Sequence, residues 1–325
     1  MTSIALFAPR DTAATVFAPR HFERLAAIGI LCDARFERQA EETVARVADA
    51  DVIVSTWGMP RMDAAFLDQL PRLTGVFYAA GSVKGFVTPA VWQRGITVSS
   101  AALMNALPVA EYTLAVILLS NKRFWPVMNR TPGAVALPEV PGNYRRTVGI
   151  ISASMVGRAV IELLKPTDLS VLLYDPFVDA EEAARLGVTK VGLPELMAAS
   201  DVVSLHAPNL PALRHLIDAE MLARMKDGAT FINTARGALV DEEALIAELQ
   251  RGRIWAVLDV TDPEPPVDGS PFYTLPNVIY TPHIAGSMAQ ECQRMADFAI
   301  DELERFLAGA PLRNAVQPEL LERLA

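Results

Sequence analysis

Three residues far apart in the chain could share one piece of chemistry. Arg236 follows an apolar strand pattern in Asn233-Thr234-Ala235-Arg236-Gly237. Parallel α/β sheets bind ligands at the carboxyl ends of their strands. A guanidinium placed there can hold a carboxylate in a bidentate fork and polarise a neighbouring carbonyl. Glu264 closes the segment Leu258-Asp259-Val260-Thr261-Asp262-Pro263-Glu264, which again leaves an apolar strand for a proline-rich loop. His283 lies in Tyr280-Thr281-Pro282-His283-Ile284-Ala285-Gly286-Ser287 and is one of four histidines, with His21, His206 and His215. A carboxylate beside an imidazole favours the charged ring and fixes its orientation. A Glu264–His283 dyad could therefore give a proton to a carbonyl oxygen while a hydride reaches the carbon. Taken singly, each residue has a structural explanation: a salt-bridged surface arginine, a solvated turn carboxylate, a histidine satisfied by the fold.

A second constellation could hold a dinucleotide. The strand Val148-Ile151 runs into Ser152-Ala153-Ser154-Met155-Val156-Gly157 and then a helix, the place of a Rossmann turn. The usual pattern is G-x-G-x-x-G; here serines occupy the first two glycine positions and only Gly157 remains. Serine suits the first position only if its backbone stays out of positive φ. The Ser154 hydroxyl narrows the approach of a pyrophosphate but can donate to it. Free amides at the helix start, from Ser154 to Gly157, still attract phosphate. Asp175 ends the next strand, 18 residues beyond Gly157, near the expected spacing of about 20. Its carboxylate would accept from ribose hydroxyls and repel the extra phosphate of NADP, so NAD is the expected cofactor. Without a ligand, the same segment is also what a tight βα turn and a strand-end aspartate look like.

These positions need strands to carry them. Strand patterns fall at Ile4-Phe7, Val52-Ser55, Gly75-Tyr78 and Thr97-Ser99, then at Thr147-Ile151, Ser170-Tyr174, Val202-Leu205, Thr230-Asn233, Ala256-Asp259 and Val278-Tyr280. Helical stretches lie near Arg20-Ala27, Glu41-Ala48, Met62-Leu70, Met155-Leu164 and Ala180-Leu186. A long apolar helix is expected over Pro108-Ser120, with the proline in its first turn, and an amphipathic one over Met288-Leu307. Pro126 to Asn143 reads as a loop. The alternation of strand and helix predicts an α/β fold of two Rossmann-like or flavodoxin-like parallel-sheet domains. Residues 1-100 with 288-325 would form a discontinuous substrate domain, and 101-287 the NAD-binding domain. With the chain ending at Ala325, no added regulatory domain is expected.

Composition narrows the function classes. A chain of 325 residues with 51% hydrophobic content suits two cores. The net charge of −9 and the lack of a basic run argue against nucleic acid as a partner. Two cysteines, Cys32 and Cys292, make no disulfide framework and suit a reducing compartment. No secretory pattern opens the chain, and the run Leu114-Leu119 is far short of the roughly 20 residues that span a bilayer. A soluble cytoplasmic protein with no membrane partner and no metal is expected.

The segments, in this order, resemble the D-isomer-specific 2-hydroxyacid dehydrogenase family from about Ala79 to Ser287, and more loosely beyond. Ala79-Ala80-Gly81-Ser82-Val83 resembles its carboxylate-binding loop, Asn105 with Val109-Ala110-Glu111 its helix-opening segment, and Leu205-His206-Ala207-Pro208 a strand-end turn beside the cofactor. The resemblance implies an active site in an interdomain cleft with hinges near Ser100 and Gly286. Arg236 would bind the substrate carboxylate and carbonyl, with His283 as proton donor and Glu264 as its partner. Amides of Gly81, Ser82 and Val83 would hold the carboxylate from the other domain. Cofactor contacts would come from Ser154, Met155, Val156, Gly157, Asp175, Ala207, Pro208, Thr234, Ala235, Asp259, His283 and Gly286, with Asp259 on the nicotinamide carboxamide. The helix from Pro108 would lie at a homodimer interface. The implied activity is NAD(H)-dependent interconversion of a small 2-oxo acid and its D-2-hydroxy acid.

The chain departs from that family at Ser152 and Ser154, and at Lys84 and Gly85, where an acidic residue and Asn are common. Lys84 reads as a solvated surface lysine, or as part of a positive rim for a second anionic group. The substrate pocket would be lined by Trp57, Lys84, Phe86, Met104 and Asn105, mostly apolar, which favours a small or hydrophobic side chain. Three alternatives stay open: an NAD(H)-sensing binding protein or corepressor on the same fold, formate oxidation, and 3-phosphoglycerate oxidation, which would want more basic residues in that pocket.

Overall fold

The computed structural model describes residues 1–37, 44–128 and 140–321. The chain divides into two compact units, Met1–Asn105 with Ser287–Leu324, and Ala106–Gly286.

The first unit is built on a five-stranded sheet ordered β2-β1-β3-β4-β5: β1 Ser3–Leu6, β2 Ile30–Asp33, β3 Val52–Ser55, β4 Gly75–Tyr78 and β5 Thr97–Ser100. All pairings are parallel, and the order reverses between β1 and β3. Side chains of a strand alternate between faces, and here they feed two separate cores. Ala5 and Phe7 join Ile53, Val76 and Phe86 on one face. Ile4 and Leu6 join Leu25, Phe77, Met295 and Ile300 on the other. That second face is covered by the helices Pro19–Ile28 and Glu291–Leu307.

The second unit holds seven parallel strands ordered β12-β11-β10-β9-β6-β7-β8. They are β6 Thr147–Ile151, β7 Ser170–Tyr174, β8 Thr189–Lys190, β9 Val202–Leu205, β10 Thr230–Asn233, β11 Trp255–Leu258 and β12 Val278–Tyr280. The order reverses between β6 and β9, the kind of switch point where doubly wound sheets bind ligands. Neighbouring residues again part to opposite faces: Phe231 and Leu258 to one core, Ile232 and Val257 to the other. Such strands, buried on both sides, read as continuous apolar runs.

Several expectations need correction. The long helix covers Ala102–Asn121, so Pro108 lies inside it rather than in its first turn. By length and composition this helix could cross a membrane, with a mean hydropathy of 1.7 over its best window, 39% of it buried. Glu111 and Thr113 break the apolar run without breaking the helix. Its Ala110, Val116 and Ile117 pack in one core with Val148 and Ile150. In the described part of the helix expected at Glu41-Ala48, Val44 is α-helical and Ala45–Val47 continue as a 3-10 turn; Glu41 to Thr43 lie outside the described residues. Of the expected loop Pro126-Asn143, Pro126 and Val127 belong to the short helix Phe124–Val127. Residues 129–139 of that loop lie outside the described residues. Strand β2 and the helices Arg10–Val16, Pro89–Gln93, Leu193–Ala199, Ala219–Arg224 and Glu242–Gln250 were not anticipated. Lys84 is half-buried, not fully solvated.

Candidate active site

The residues that suggested chemistry leave three neighbouring strands at one edge of the seven-stranded sheet. The register pairs Asn233 with Leu258 and Leu258 with Tyr280. Arg236 follows β10 by three residues, Glu264 follows β11 by six, and His283 follows β12 by three. Adjacent strands lie about 4.8 Å apart, so the three segments leave the same end of the sheet side by side; of the three side chains, the contact found is that between Glu264 and His283.

Glu264 and His283 are in contact. The imidazole Nδ1 lies 2.6 Å from Glu264 Oε1, with the two side chains, His283 and Glu264, 47% and 36% exposed. If the carboxylate accepts there, Nδ1 carries the hydrogen and Nε2 is left to exchange a proton with a bound molecule. The backbone of His283 is left-handed, with φ of 54°, and its amide donates to the carbonyl oxygens of Asp259 and Thr281. The Asp259 carboxylate, 1% exposed, accepts from the Thr281 hydroxyl at 2.7 Å and from the amides of Ile284 and Ala285 at 2.8 and 2.9 Å. Tyr112 Oη lies 3.0 Å from Thr281 Oγ1. Because Thr281 donates to Asp259, Tyr112 must be the donor to Thr281. This chain of bonds sets the loop that aims His283. Two of its members, Thr281 and Tyr112, were not picked out from the sequence, and a hydroxyl two residues before the histidine is the one signal that could have flagged it.

Arg236 is half-buried, and its guanidinium donates to the carbonyl oxygen of Ala235 at 2.6 Å. It makes no ion pair among the described residues. A guanidinium without an acidic partner at a strand end is suited to an anionic ligand. Its loop is fixed by Asn233, whose side chain accepts from the Ala235 amide and donates to the Arg236 carbonyl oxygen, both at 3.0 Å. The next residue can only be glycine: a Cβ on Gly237 would sit 2.0 Å from the Thr261 backbone. That close approach docks the Arg236 loop onto the segment carrying Glu264. Glu242 braces the same segment by accepting from the Asp262 amide at 2.8 Å. Burial, with the nearby Asp262 charge, pushes the Glu242 carboxyl up to about 7. Thr234 lies with its hydroxyl 3.5 Å from that of Thr113.

The dinucleotide turn differs from its sequence expectation. Ser152 adopts φ of 78°, the positive region a serine was expected to avoid. The turn brings the Ser152 carbonyl oxygen against Gly157, where a Cβ would lie 2.0 Å from it, so residue 157 must be glycine. Ser154 caps the helix Met155–Leu164 by accepting from the Gly157 amide at 3.3 Å. Gly157 is therefore not one of the free amides, but the Met155 and Val156 amides have no acceptor among the described residues. Asp175 is only 7% exposed. It already accepts from the amides of Ala153 and Phe177, both at 2.8 Å, and from Ser152 Oγ at 3.3 Å. Of the roughly four acceptor positions on a carboxylate, one remains for a ribose. Two open helix-start amides, a close-packed glycine and a buried carboxylate on the neighbouring strand fit a nicotinamide dinucleotide. His206, in the strand-end turn before Ala207 and Pro208, is held neutral: burial pushes its imidazole down to about 3. Its Nε2 lies 2.9 Å from Ser204 Oγ.

The remaining candidates belong to the first unit. Gly81 ends a bend after β4, and Ser82 and Val83 lead from it into a turn at residues 84–86. A Cβ on Gly81 would lie 3.6 Å from Asn105 Nδ2, and Asn105 Oδ1 accepts from the Ser287 amide at 3.1 Å. Trp57 is 36% exposed, and its carbonyl oxygen accepts from Thr12.

Comparison with known proteins agrees with this fold. Residues 133–285 match the family model described as D-isomer specific 2-hydroxyacid dehydrogenase, NAD binding domain. A D-3-phosphoglycerate dehydrogenase of Archaeoglobus fulgidus is 31% identical over 90% of this chain and 56% of its own length. A glyoxylate/hydroxypyruvate reductase B of Yersinia enterocolitica is 30% identical over 87% of this chain and 88% of its own. The crystal structure of the TT0316 protein from Thermus thermophilus, 30% identical, superposes with a TM-score of 0.75 over 98% of this chain and 100% of that one. The chain belongs to the D-isomer-specific 2-hydroxyacid dehydrogenase family, and its second unit is an NAD(P)-binding domain of that family. It spans about half the length of the D-3-phosphoglycerate dehydrogenases it matches.

Proposed function

We propose that this protein is an NAD(H)-dependent oxidoreductase that interconverts a small 2-oxo acid and its D-2-hydroxy acid. The observation that carries this reading is the 2.6 Å contact between His283 and Glu264, beside a strand end where Arg236 has no ion pair among the described residues. A bound nicotinamide dinucleotide would supply the hydride in reduction and accept it in oxidation. Arg236 grips the substrate carboxylate and draws charge onto the carbonyl oxygen. His283 gives its Nε2 proton to that oxygen in reduction, and Glu264 stabilises the charged ring before the transfer. In oxidation the neutral ring takes the hydroxyl proton back. The Met155 and Val156 amides would hold the pyrophosphate, and Asp175 would accept from the adenosine ribose. Its negative charge favours NAD over NADP. Asp259 has both oxygens engaged but retains lone pairs for the nicotinamide carboxamide. Gly81 to Val83 would hold the carboxylate, with Trp57 and Asn105 near the substrate side chain. We read the protein as a cytoplasmic homodimer.

The test is NADH oxidation with glyoxylate, hydroxypyruvate and related 2-oxo acids, and NAD reduction with 3-phosphoglycerate. His283→Ala should lower kcat by roughly 10²–10⁴-fold while NADH still binds. Turnover that survives this substitution undiminished eliminates the mechanism. Tight NADH binding with no activity on any of these acids would instead favour the sensor.

A further inference from the structure

The turn after β6 is hard to hold with the residues it has. Ser152 sits at φ of 78°, where an L-residue is disfavoured by a factor of roughly 5 to 30 relative to its ordinary conformations. Glycine would remove that penalty, and this chain does not use one. What it has instead is a buried carboxylate on the adjacent strand. Asp175 Oδ2 accepts from the Ala153 amide at 2.8 Å and from the Ser152 hydroxyl at 3.3 Å, spanning the strained residue and the one after it. Its other oxygen is anchored by the Phe177 amide at 2.8 Å. The Ser152 amide donates to the Tyr174 carbonyl oxygen at 2.8 Å, so the strand end that carries Asp175 grips the bend from both sides.

We propose that Asp175 and Ser152 form a latch that holds the pyrophosphate turn in its left-handed bend, making Asp175 a positioning residue for the phosphate cradle as well as a ribose acceptor. The latch rests on the proposed binding of a nicotinamide dinucleotide. It has a consequence that ribose contact alone lacks: the importance of Asp175 depends on which residue stands at 152. With serine there, the carboxylate opposes the backbone penalty. With glycine there, the bend needs no such help.

A double-mutant cycle on the full chain separates the two roles. NADH affinity is measured by fluorescence titration for the native protein, Ser152→Gly, Asp175→Ala and the double variant. The ribose contact is lost equally in both Asp175→Ala proteins and cancels. Asp175→Ala should weaken NADH binding by a factor at least about fivefold larger with Ser152 present than in the Ser152→Gly background. Equal factors in both backgrounds overturn the latch. The same cycle on ligand-free protein, read as Tm, should show a larger loss from Asp175→Ala when Ser152 is present; equal losses overturn it independently of any ligand. Should Asp175→Ala fail to fold in both backgrounds, Asp175→Asn replaces it in the same two comparisons. If the native protein bound neither NADH nor NADPH, the cofactor reading would fall, and the latch would be decided by the Tm cycle alone.

Discussion

At the scale of single residues, His283 depends on a carboxylate that its own side chain does not touch. Asp259 gathers the Thr281 hydroxyl and the Ile284 and Ala285 amides, and so fixes the loop on both sides of the histidine. Thr281→Val keeps the shape but removes the hydroxyl that links Asp259 to Tyr112, leaving the half-buried Tyr112 donor and the buried Asp259 acceptor short of one bond each. The expected outcome is a kcat lowered by roughly 10-fold through misplacement of the imidazole, with NADH affinity unchanged and recovery in Thr281→Ser. A kcat equal to that of the native protein would remove Thr281 and Tyr112 from the machinery. Glu264 and His283 were legible as a pair because each follows an apolar run into a loop. The part played by Asp259 was not, since its partners are loop amides whose direction depends on the folded backbone.

At the scale of elements, the six strands expected in the second unit all form. Four-residue runs rich in Val, Ile and Leu leave few other ways to bury both faces. The edge strand β8, with both residues exposed, offered no such run. The helices that escaped notice are short, and Asp218 and Asp241 cap two of them. The helix Glu242–Gln250 also shapes the site, because Glu242 at its start accepts from Asp262. Burial raises the Glu242 carboxyl from an ordinary 4.5 to about 7. A raised folded value means the native state holds its proton more tightly than the unfolded chain. Glu242 therefore costs no stability below about pH 4.5, progressively more up to about 7, and its full cost above that. Glu242→Gln, which keeps the acceptor for the Asp262 amide, should melt at higher temperature than the native protein at about pH 8, and the difference should vanish near pH 4.5. A difference independent of pH would rule out this account.

At the scale of the whole molecule, the first unit is assembled from both ends of the chain. The helix Glu291–Leu307 covers one face of its sheet, and the chain then returns beside β5, where the Val316 amide donates to the Val98 carbonyl oxygen. Glu302, fully buried on that helix, ties the return. It accepts from Ser99 Oγ, from the Arg313 and Asn314 amides, and from Arg313 Nε. Burial would raise its carboxyl, but the two amides, the guanidinium and the hydroxyl together outweigh that and hold it below its ordinary value. Such a group stabilises the fold above the unfolded value and loses this as the pH falls. Glu302→Gln turns an amide group toward donors, and should cost roughly 2–3 kcal/mol at neutral pH by denaturant unfolding, less than the roughly 3–5 kcal/mol of a fully buried pair, because the Arg313 side chain is 42% exposed. The gap between the two proteins should narrow below about pH 4.5; a gap that widens with acid would contradict it.

Taken by itself, the amino-acid order determined the strands of the second sheet, the strand-end placement of Arg236, Glu264 and His283, and the family. Each follows from local patterns, apolar runs ended by loop-forming residues, that need no knowledge of distant neighbours. Tertiary structure alone decided how Ser152 bends, which oxygens of Asp175 and Asp259 are already taken, and why Gly157 and Gly237 tolerate no side chain. Those outcomes depend on backbones brought into close approach by packing between separate strands, and no spacing along the chain encodes which backbone will arrive there.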